Sequence, residues 1–215
     1  MPQKIKHKVL LFFTMLFIST ISNSQTDNKK INCLNIDTMG LLKKSFDSFE
    51  KDLFNHYKFS NDSIKTYKTF LTELYSLSIN LRKLPSNTSI ELARVFKKKA
   101  ADKSSLWVLL STYDEQMETS GQNSTPKTNP QQNEEEIMTF NYRGGFIQCL
   151  KNNSSSNGFK DIINTLEYDG NISPSLIAQR LHDLPAEEFN TPEVKNFIAF
   201  DIYYSILLII EKAFK

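Results

Sequence analysis

The two cysteines are the residues whose chemistry the sequence constrains most. Cys33 and Cys149 are the only cysteines of the chain, so an oxidising compartment would allow one intramolecular disulfide. That bond would close a loop of 116 residues and stabilise the fold by about 4–5 kcal/mol in the chain-entropy model. The alternative is a buried free thiol at Cys149, which has Phe146, Ile147 and Leu150 around it. Spacing leaves both open, because it does not give the distance between the sulfurs.

Asp201 is the acidic residue with the most unusual surroundings, because it lies inside the apolar segment 197–210, FIAFDIYYSILLII. One interpretation is a buried polar site formed by Asp201, Tyr203, Tyr204 and Ser205. A buried carboxyl group must be protonated or paired, for example with a tyrosine hydroxyl or a lysine. The other interpretation is a solvent-facing stripe made by Asp201 and Ser205. We favour the stripe, since charged side chains are seldom buried.

A cluster of acidic residues surrounds Pro185. Its members Asp183, Glu187 and Glu188 would form either a surface that contacts a partner or an ordinary solvated loop. The solvated loop is the commoner arrangement, because acidic side chains are usually exposed.

The residues that catalysis or metal binding most often requires are few. Beyond residue 24 the histidines are His56 and His182, and neither has a ligand or base partner at a recognisable spacing. The sequence has no nucleophile elbow, no His-Glu-x-x-His, no paired Cys-x-x-Cys and no glycine-rich phosphate loop. We therefore predict a protein that is not an enzyme, with no catalytic residue, no metal site and no cofactor.

Helical periodicity dominates the segments that must position these residues. Apolar side chains recur every three or four residues in most of the chain, and residues typical of helix starts precede several of the repeats. The predicted fold class is all-α, a helical bundle. The predicted helices span about 37–57, 62–84, 88–99, 104–113, 134–150, 159–168, 173–184 and 191–210.

One long polar stretch divides this pattern. Residues 119–136 contain no large apolar side chain, two prolines and one glycine, so they cannot contribute to a core. We predict a disordered polar linker over 119–135, between an N-terminal helical lobe (25–118) and a C-terminal helical lobe (136–215).

The N-terminal residues 1–24 are typical of a cleavable signal peptide. Three lysines precede the apolar segment Val9–Ile18, and the small residues Ser22-Asn23-Ser24 come before Gln25. The apolar segment is too short for a membrane-spanning helix, which needs about 20 residues. We expect a periplasmic or secreted protein, soluble after cleavage near Ser24-Gln25, with no membrane span afterwards.

The charge of the chain depends on this segment. The whole chain has a formal charge of +2, but residues 1–24 contribute three lysines and no acid. The remainder is close to neutral, with a slight acidic excess. A neutral protein has no electrostatic reason to bind nucleic acid or an anionic membrane, and we predict neither as a partner.

Two segments of the C-terminal half resemble a known family. Residues 141–150, NYRGGFIQCL, resemble a helix ending in Cys-Leu in the periplasmic immunity proteins that oppose amidase effectors of type VI secretion. Residues 200–205, FDIYYS, are similar to a later segment of that family, although its second cysteine would fall at Phe200. The resemblance implies an exported, helical, non-enzymatic protein that binds a toxin.

Three functional hypotheses follow. The first is an exported helical protein that neutralises a periplasmic toxin or effector by binding and occlusion. The second is an envelope or secreted helical protein that holds a small apolar ligand, which would require a large apolar cavity against the last helix. The third, less favoured, is a hydrolase in which His56 or His182 meets an acid and a nucleophile.

Overall fold

Helices form most of the regular structure in the part of the chain that this computed structural model describes, residues 32–37, 39–60, 62–100, 105–111, 113, 138–170 and 172–210. The predicted all-α class is therefore confirmed. A 3₁₀ turn, Cys33–Ile36, precedes the helices. The helices are α1 (Leu41–Tyr57), α2 (Ser63–Tyr75), α3 (Asn87–Lys99), α4 (Gly145–Asn153), α5 (Asn157–Tyr168), α6 (Pro174–His182) and α7 (Pro192–Phe197).

The final helix is continuous but changes its winding. After α7, the backbone forms a π-helical segment, Ile198–Tyr204, and then returns to α-helical winding in α8 (Ser205–Ile210). Every residue of the π segment is buried. This agrees with the sequence, because a helix that is apolar on all sides must be surrounded by other elements. Among the described residues, no helix is both long and apolar enough to cross a membrane.

Two short strands replace parts of two predicted helices. Strand β1 (Trp107–Leu109) pairs antiparallel with β2 (Met138–Phe140), and Trp107 lies opposite Phe140. The predictions of a helix over 104–113 and of one beginning near 134 were therefore wrong. Aromatic and branched side chains suit a pleated, half-buried surface, and pairing between remote segments overrides a local helical pattern.

The helix starts follow the local sequence closely. Asp62 accepts a hydrogen bond from the Lys65 amide, and Thr191 caps the start of α7 ahead of Pro192, as predicted. The start of α3 differs, because Ser86 is its N-cap. The Ser86 hydroxyl accepts from the amide of Ser89, three residues further on.

The two predicted lobes share one core in the described residues. Described residues of both lobes, from Cys33 to Leu208, contribute to one hydrophobic core. The Tyr203 ring lies 5.1 Å from Phe49 of α1, and Lys68 of α2 donates to the His182 carbonyl. The predicted linker (119–135) and signal peptide (1–24) with its cleavage point lie outside the described residues.

A disulfide joins the first described segment to α4. The sulfur atoms of Cys33 and Cys149 are 2.12 Å apart and their Cα atoms 5.8 Å apart. The alternative of a free Cys149 thiol is therefore excluded. The bond attaches the 3₁₀ turn at Cys33 to the helix that follows β2, next to the amide of Asn153.

Candidate functional site

Asp201 lies in the middle of the π segment, with only 2% of its surface exposed. The favoured prediction of a solvent-facing stripe was therefore wrong for Asp201, while Ser205 is half-buried. The reason is tertiary, because other elements cover all sides of the helix at this level. Short π-helical turns inside α-helices are frequent at functional sites, which makes Asp201 a candidate functional residue.

The two carboxyl oxygens of Asp201 have different surroundings. Oδ1 accepts a hydrogen bond of 2.8 Å from the Tyr142 hydroxyl, whereas Oδ2 is buried without a hydrogen-bond partner among the described residues. Burial raises the pKa of Asp201 to about 7, because loss of solvation outweighs the opposing effect of the Tyr142 hydrogen bond. Burial and the neighbouring carboxylate raise the pKa of Tyr142 well above its usual value. Asp201 is therefore an acid that changes charge near neutral pH.

Ser205 and the small sheet form the second polar part of the site. The Trp107 Nε1–H donates to the Ser205 hydroxyl at 2.8 Å, and Ser205 donates in turn to the Phe200 carbonyl at 3.4 Å. The Trp107 ring packs against Phe96 at 4.8 Å and against Phe140 at 5.3 Å. The paired strands thus fix Trp107 and Tyr142 against one face of the final helix.

A cavity of about 580 Å³ opens beside this face, within the size range of small-molecule sites. Seven side chains of its described wall carry polar groups: Lys97, Trp107, Thr139, Tyr142, Ser173, Asp201 and Ser205. The rest of the described wall is mainly apolar: Leu110, Met138, Phe140, Ile172, Pro174, Ile177, Leu208 and Ile209. The cavity therefore combines apolar walls with a buried acid.

Tyr203 and Tyr204, which the less favoured interpretation of the sequence placed in the same polar site, point elsewhere. The Tyr203 hydroxyl donates to Asp52 Oδ2 at 2.6 Å, and the Tyr204 hydroxyl donates to the Ser45 carbonyl at 2.9 Å. Burial is the main reason that the pKa of each phenol is raised above its usual value. The predicted set thus divides into Asp201 and Ser205 at the cavity and the two tyrosines against α1.

Asp52 is a buried polar residue that the sequence analysis missed. It is 4% exposed, and besides Tyr203 its Oδ2 accepts from the Ser86 amide at 3.0 Å, the Ser86 hydroxyl at 3.1 Å and the Ser89 hydroxyl at 2.6 Å. The cluster ties α1, the start of α3 and the π segment together. A signal was present, since Asp52 lies three residues after Phe49 on the buried side of α1.

The predicted acidic surface is only partly a surface. The Asp183 side chain is 74% exposed and Glu187 is exposed, but Glu188 is half-buried, with Oε2 shielded from solvent and without a partner among the described residues. Glu188 is drawn inward because it lies in the 3₁₀ turn Ala186–Asn190, whose Phe189 is fully buried.

The two histidines are separate from the cavity. The His56 ring packs on Tyr57 at 4.8 Å. The His182 ring packs on Tyr75 at 5.6 Å, and its Nδ1 lies 3.7 Å from Asp183. Within the described ranges, no group of three or more histidine, cysteine or acidic side chains is placed to hold a metal ion.

An exposed leucine marks the surface near His182. Leu77, just after the end of α2, is 81% exposed and has a φ of 56°. A left-handed backbone is uncommon for a bulky residue. Tyr75, which contacts His182, is partly exposed beside it. These residues present apolar surface at the end of α2.

Comparison of the chain with protein-family models, with curated proteins and with solved structures finds no match. Any functional assignment therefore depends on the chemistry of the cavity and of the surface around Leu77.

Proposed function

We propose that this protein is a non-catalytic binding protein that holds a small amphipathic molecule in the cavity beside the final helix. One observation carries the proposal: a cavity of about 580 Å³ has Asp201 in its wall, and one oxygen of that buried carboxyl group has no partner among the described residues. Mostly apolar pockets with a few placed polar groups are typical of small-molecule sites.

Asp52 provides an internal comparison for Asp201. A buried acid with a structural role is expected to be held by several hydrogen bonds, and Asp52 Oδ2 accepts four, whereas the carboxyl group of Asp201 accepts one. An unsatisfied buried polar atom lowers the free energy of unfolding by about 1–3 kcal/mol. A contribution to stability therefore does not explain why an aspartate occupies position 201. A bound ligand that donates to Oδ2 would recover this energy.

The disulfide supports an exported location for this function. Stable disulfides are typical of the periplasm and the extracellular space and are rare in the cytosol. The proposed protein is therefore a binding protein of the cell envelope or of the secreted fraction, in keeping with the signal peptide expected over residues 1–24.

The proposal is tested with N-phenyl-1-naphthylamine, a probe whose direct fluorescence increases in apolar surroundings. We expect saturable binding to the wild-type protein. Met138→Trp should weaken it about tenfold, a loss of roughly 1.4 kcal/mol, because the half-buried Met138 lines the cavity. Leu176→Trp is the matched control, since Leu176 is 43% exposed and outside the cavity wall. Equal binding by all three proteins, or none by the wild type, would refute the proposal.

A second candidate is an immunity protein that binds and occludes a periplasmic toxin. The observation in its favour is Leu77, a large apolar side chain that is 81% exposed at the end of α2. The exposed acids Asp183 and Glu187 belong to the cluster for which a partner surface was one of the two interpretations of the sequence. The resemblance of residues 141–150 and 200–205 to such proteins adds to this candidate.

Affinity capture from periplasmic extract tests this second candidate. The tagged wild-type chain should capture one specific protein, and Leu77→Asp should lose it. Met39→Asp, at a similarly exposed position (72%), is the matched control and should retain it. A partner that binds the Leu77→Asp variant equally well would exclude this surface.

A further inference from the structure

We infer that the ligand of the cavity is an aliphatic amine, whose ammonium group binds the Asp201 carboxylate and whose alkyl chain lies along the apolar wall. This inference rests on the proposed ligand-binding function and specifies the class of ligand. It depends on the juxtaposition, in one cavity, of an acid with an unused oxygen and a wall of apolar side chains.

The polar groups of the cavity favour a donor over an acceptor as ligand. The Tyr142 hydroxyl already donates to Asp201, and the Ser205 hydroxyl already donates to the Phe200 carbonyl. Asp201 Oδ2 is therefore the acceptor to which a ligand would donate a hydrogen bond. An ammonium group supplies three N–H donors, and a charge-assisted hydrogen bond to a carboxylate is about twice as strong as a neutral one.

The charge balance of the wall agrees with a cationic ligand. Among the described residues that line the cavity, Lys97 of α3 is the other charged side chain. Burial and the Tyr142 hydrogen bond are the causes that set the pKa of Asp201, and Lys97 is not among them. The Asp201 carboxylate would therefore lack a countercharge, which the ligand would supply.

The apolar wall determines the rest of the ligand. Phe140, Ile177 and Leu208 are each almost fully buried around the cavity, and the neighbouring Met138 and Ile172 are half-buried. Covering these side chains with methylene groups gains about 0.8 kcal/mol for each CH₂ buried. A small ion such as ammonium would leave them uncovered, so a chain of several carbons fits better.

Binding of an amine should depend on pH in one direction. The ammonium ion pairs with ionised Asp201, whose pKa is raised to about 7, and alkylammonium groups stay protonated up to about pH 10. Among the described residues, the other titratable groups near Asp201 are Tyr142, which donates to it, Tyr113, whose ring packs on Tyr142, and Lys97 in the same cavity wall. The pKa of Tyr142 is raised well above the usual phenol value, so Asp201 is the group expected to titrate near neutrality. Affinity should rise from acidic to mildly alkaline pH.

Isothermal titration with n-octylammonium and with 1-octanol tests the inference. At about pH 8.5 the wild-type protein should bind the amine about tenfold more tightly than the alcohol, a difference that charge-assisted hydrogen bonding supplies. At about pH 5.5 this preference should disappear, because most Asp201 is then protonated. Asp201→Asn should remove the preference at both pH values, and the exposed-site control Asp183→Asn should keep the wild-type behaviour.

The outcomes separate this inference from the proposed function. Equal affinity for amine and alcohol at the higher pH would overturn the inference, yet the cavity would still bind apolar molecules. No binding of either compound, and none of N-phenyl-1-naphthylamine, would overturn both. If Asp201→Asn does not fold, the comparison of the two compounds and two pH values on the wild-type protein decides alone.

A lysine side chain of a protein partner would present the same chemical group. Nα-acetyl-lysine amide distinguishes this source, because its amide ends cannot be buried in the apolar wall without losing hydrogen bonds to water. We expect it to bind more weakly than n-octylammonium. If it binds equally tightly, the assignment of a free amine is wrong.

Discussion

Two buried aspartates differ in how their carboxyl oxygens are satisfied. Asp52 Oδ2 accepts four hydrogen bonds from Ser86, Ser89 and Tyr203, so this group connects three elements of the core. Asp201 accepts one hydrogen bond, from Tyr142, and its second oxygen has no partner in the described part of the chain. The same fold therefore contains one acid that bonds three elements of the core and one acid that lies in the wall of a cavity.

The open acid should make the stability of the protein depend on pH. The pKa of Asp201 is about 7 in the folded protein against an ordinary value of 3.8. Between these values the folded state holds a proton that the unfolded state has released, so the free energy of unfolding falls as pH rises. From pH 5 to pH 8 this one residue should account for a loss of roughly 2–3 kcal/mol.

Urea unfolding of the wild-type protein and of Asp201→Asn at these two pH values measures the effect. The variant should lose less stability than the wild type as pH rises, because its amide does not titrate. Asp183→Asn, at a side chain that is 74% exposed, should follow the wild type. Parallel losses in wild type and Asp201→Asn would contradict the raised pKa.

Among the elements, the strands and the turn between α5 and α6 shape the cavity. The α5 helix ends at Tyr168, and Gly170 then lies in the cavity wall, where its carbonyl accepts from the Thr139 hydroxyl of β2. A Cβ atom on Gly170 would lie 2.2 Å from the Tyr113 ring, which is itself buried. Close packing, rather than an unusual backbone angle, therefore requires glycine at this position.

Gly170→Ala should lower the free energy of unfolding by about 1–3 kcal/mol, the usual cost of overpacking a well-filled core. Gly145→Ala is the matched control, because a Cβ atom there has no neighbour within 4 Å and alanine favours the start of α4. We expect the control to change stability by no more than about 1 kcal/mol, in the stabilising direction. Thermal unfolding of both variants measures the difference. Equal melting temperatures would show that the Tyr113 ring moves aside without a loss of stability.

At the scale of the whole molecule, one core and one disulfide hold distant parts of the chain together. Phe49 of α1 and Tyr203 of the π segment pack at 5.1 Å, although they come from the two predicted lobes. The Cys33–Cys149 bond spans 116 residues and connects the beginning of the described chain to α4. The two segments that frame the cavity, β1 and β2, both lie within this loop.

Reduction of the disulfide should destabilise the protein by about 2–5 kcal/mol, the usual range for a native disulfide. The physical reason in the chain-entropy model is that the reduced unfolded chain regains the freedom of the closed loop. The measurement is urea unfolding with and without reductant. The double variant Cys33→Ser, Cys149→Ser should unfold like the reduced wild type and should not respond to reductant. A response to reductant in the double variant would mean that the effect has another cause.

Local features of the sequence were sufficient for much of the framework. The caps at Asp62 and Thr191 depend on side chains that bond amides three residues away, and the break after Tyr168 depends on the next few residues. In each case the information lies within a few residues of the feature, and for this reason the predictions were confirmed.

Long-range contacts decided what the local pattern could not. The segment around Trp107 has helical spacing, but becomes a strand because Phe140 lies beside it. The disulfide was one of two alternatives until the positions of Cys33 and Cys149 were known. Asp52 was missed because its donors come from Ser86, Ser89 and Tyr203, at sequence separations of 34, 37 and 151.

The sequence by itself determined the helical class, several helix ends and Asp201 as an acid in apolar surroundings. Only the tertiary structure decided that Asp201 is buried, that Tyr142 is its partner, and that a cavity opens beside it. The physical reason is that helical periodicity and capping depend on neighbours along the chain. Burial, carboxyl pKa and cavity shape instead depend on which remote elements pack together.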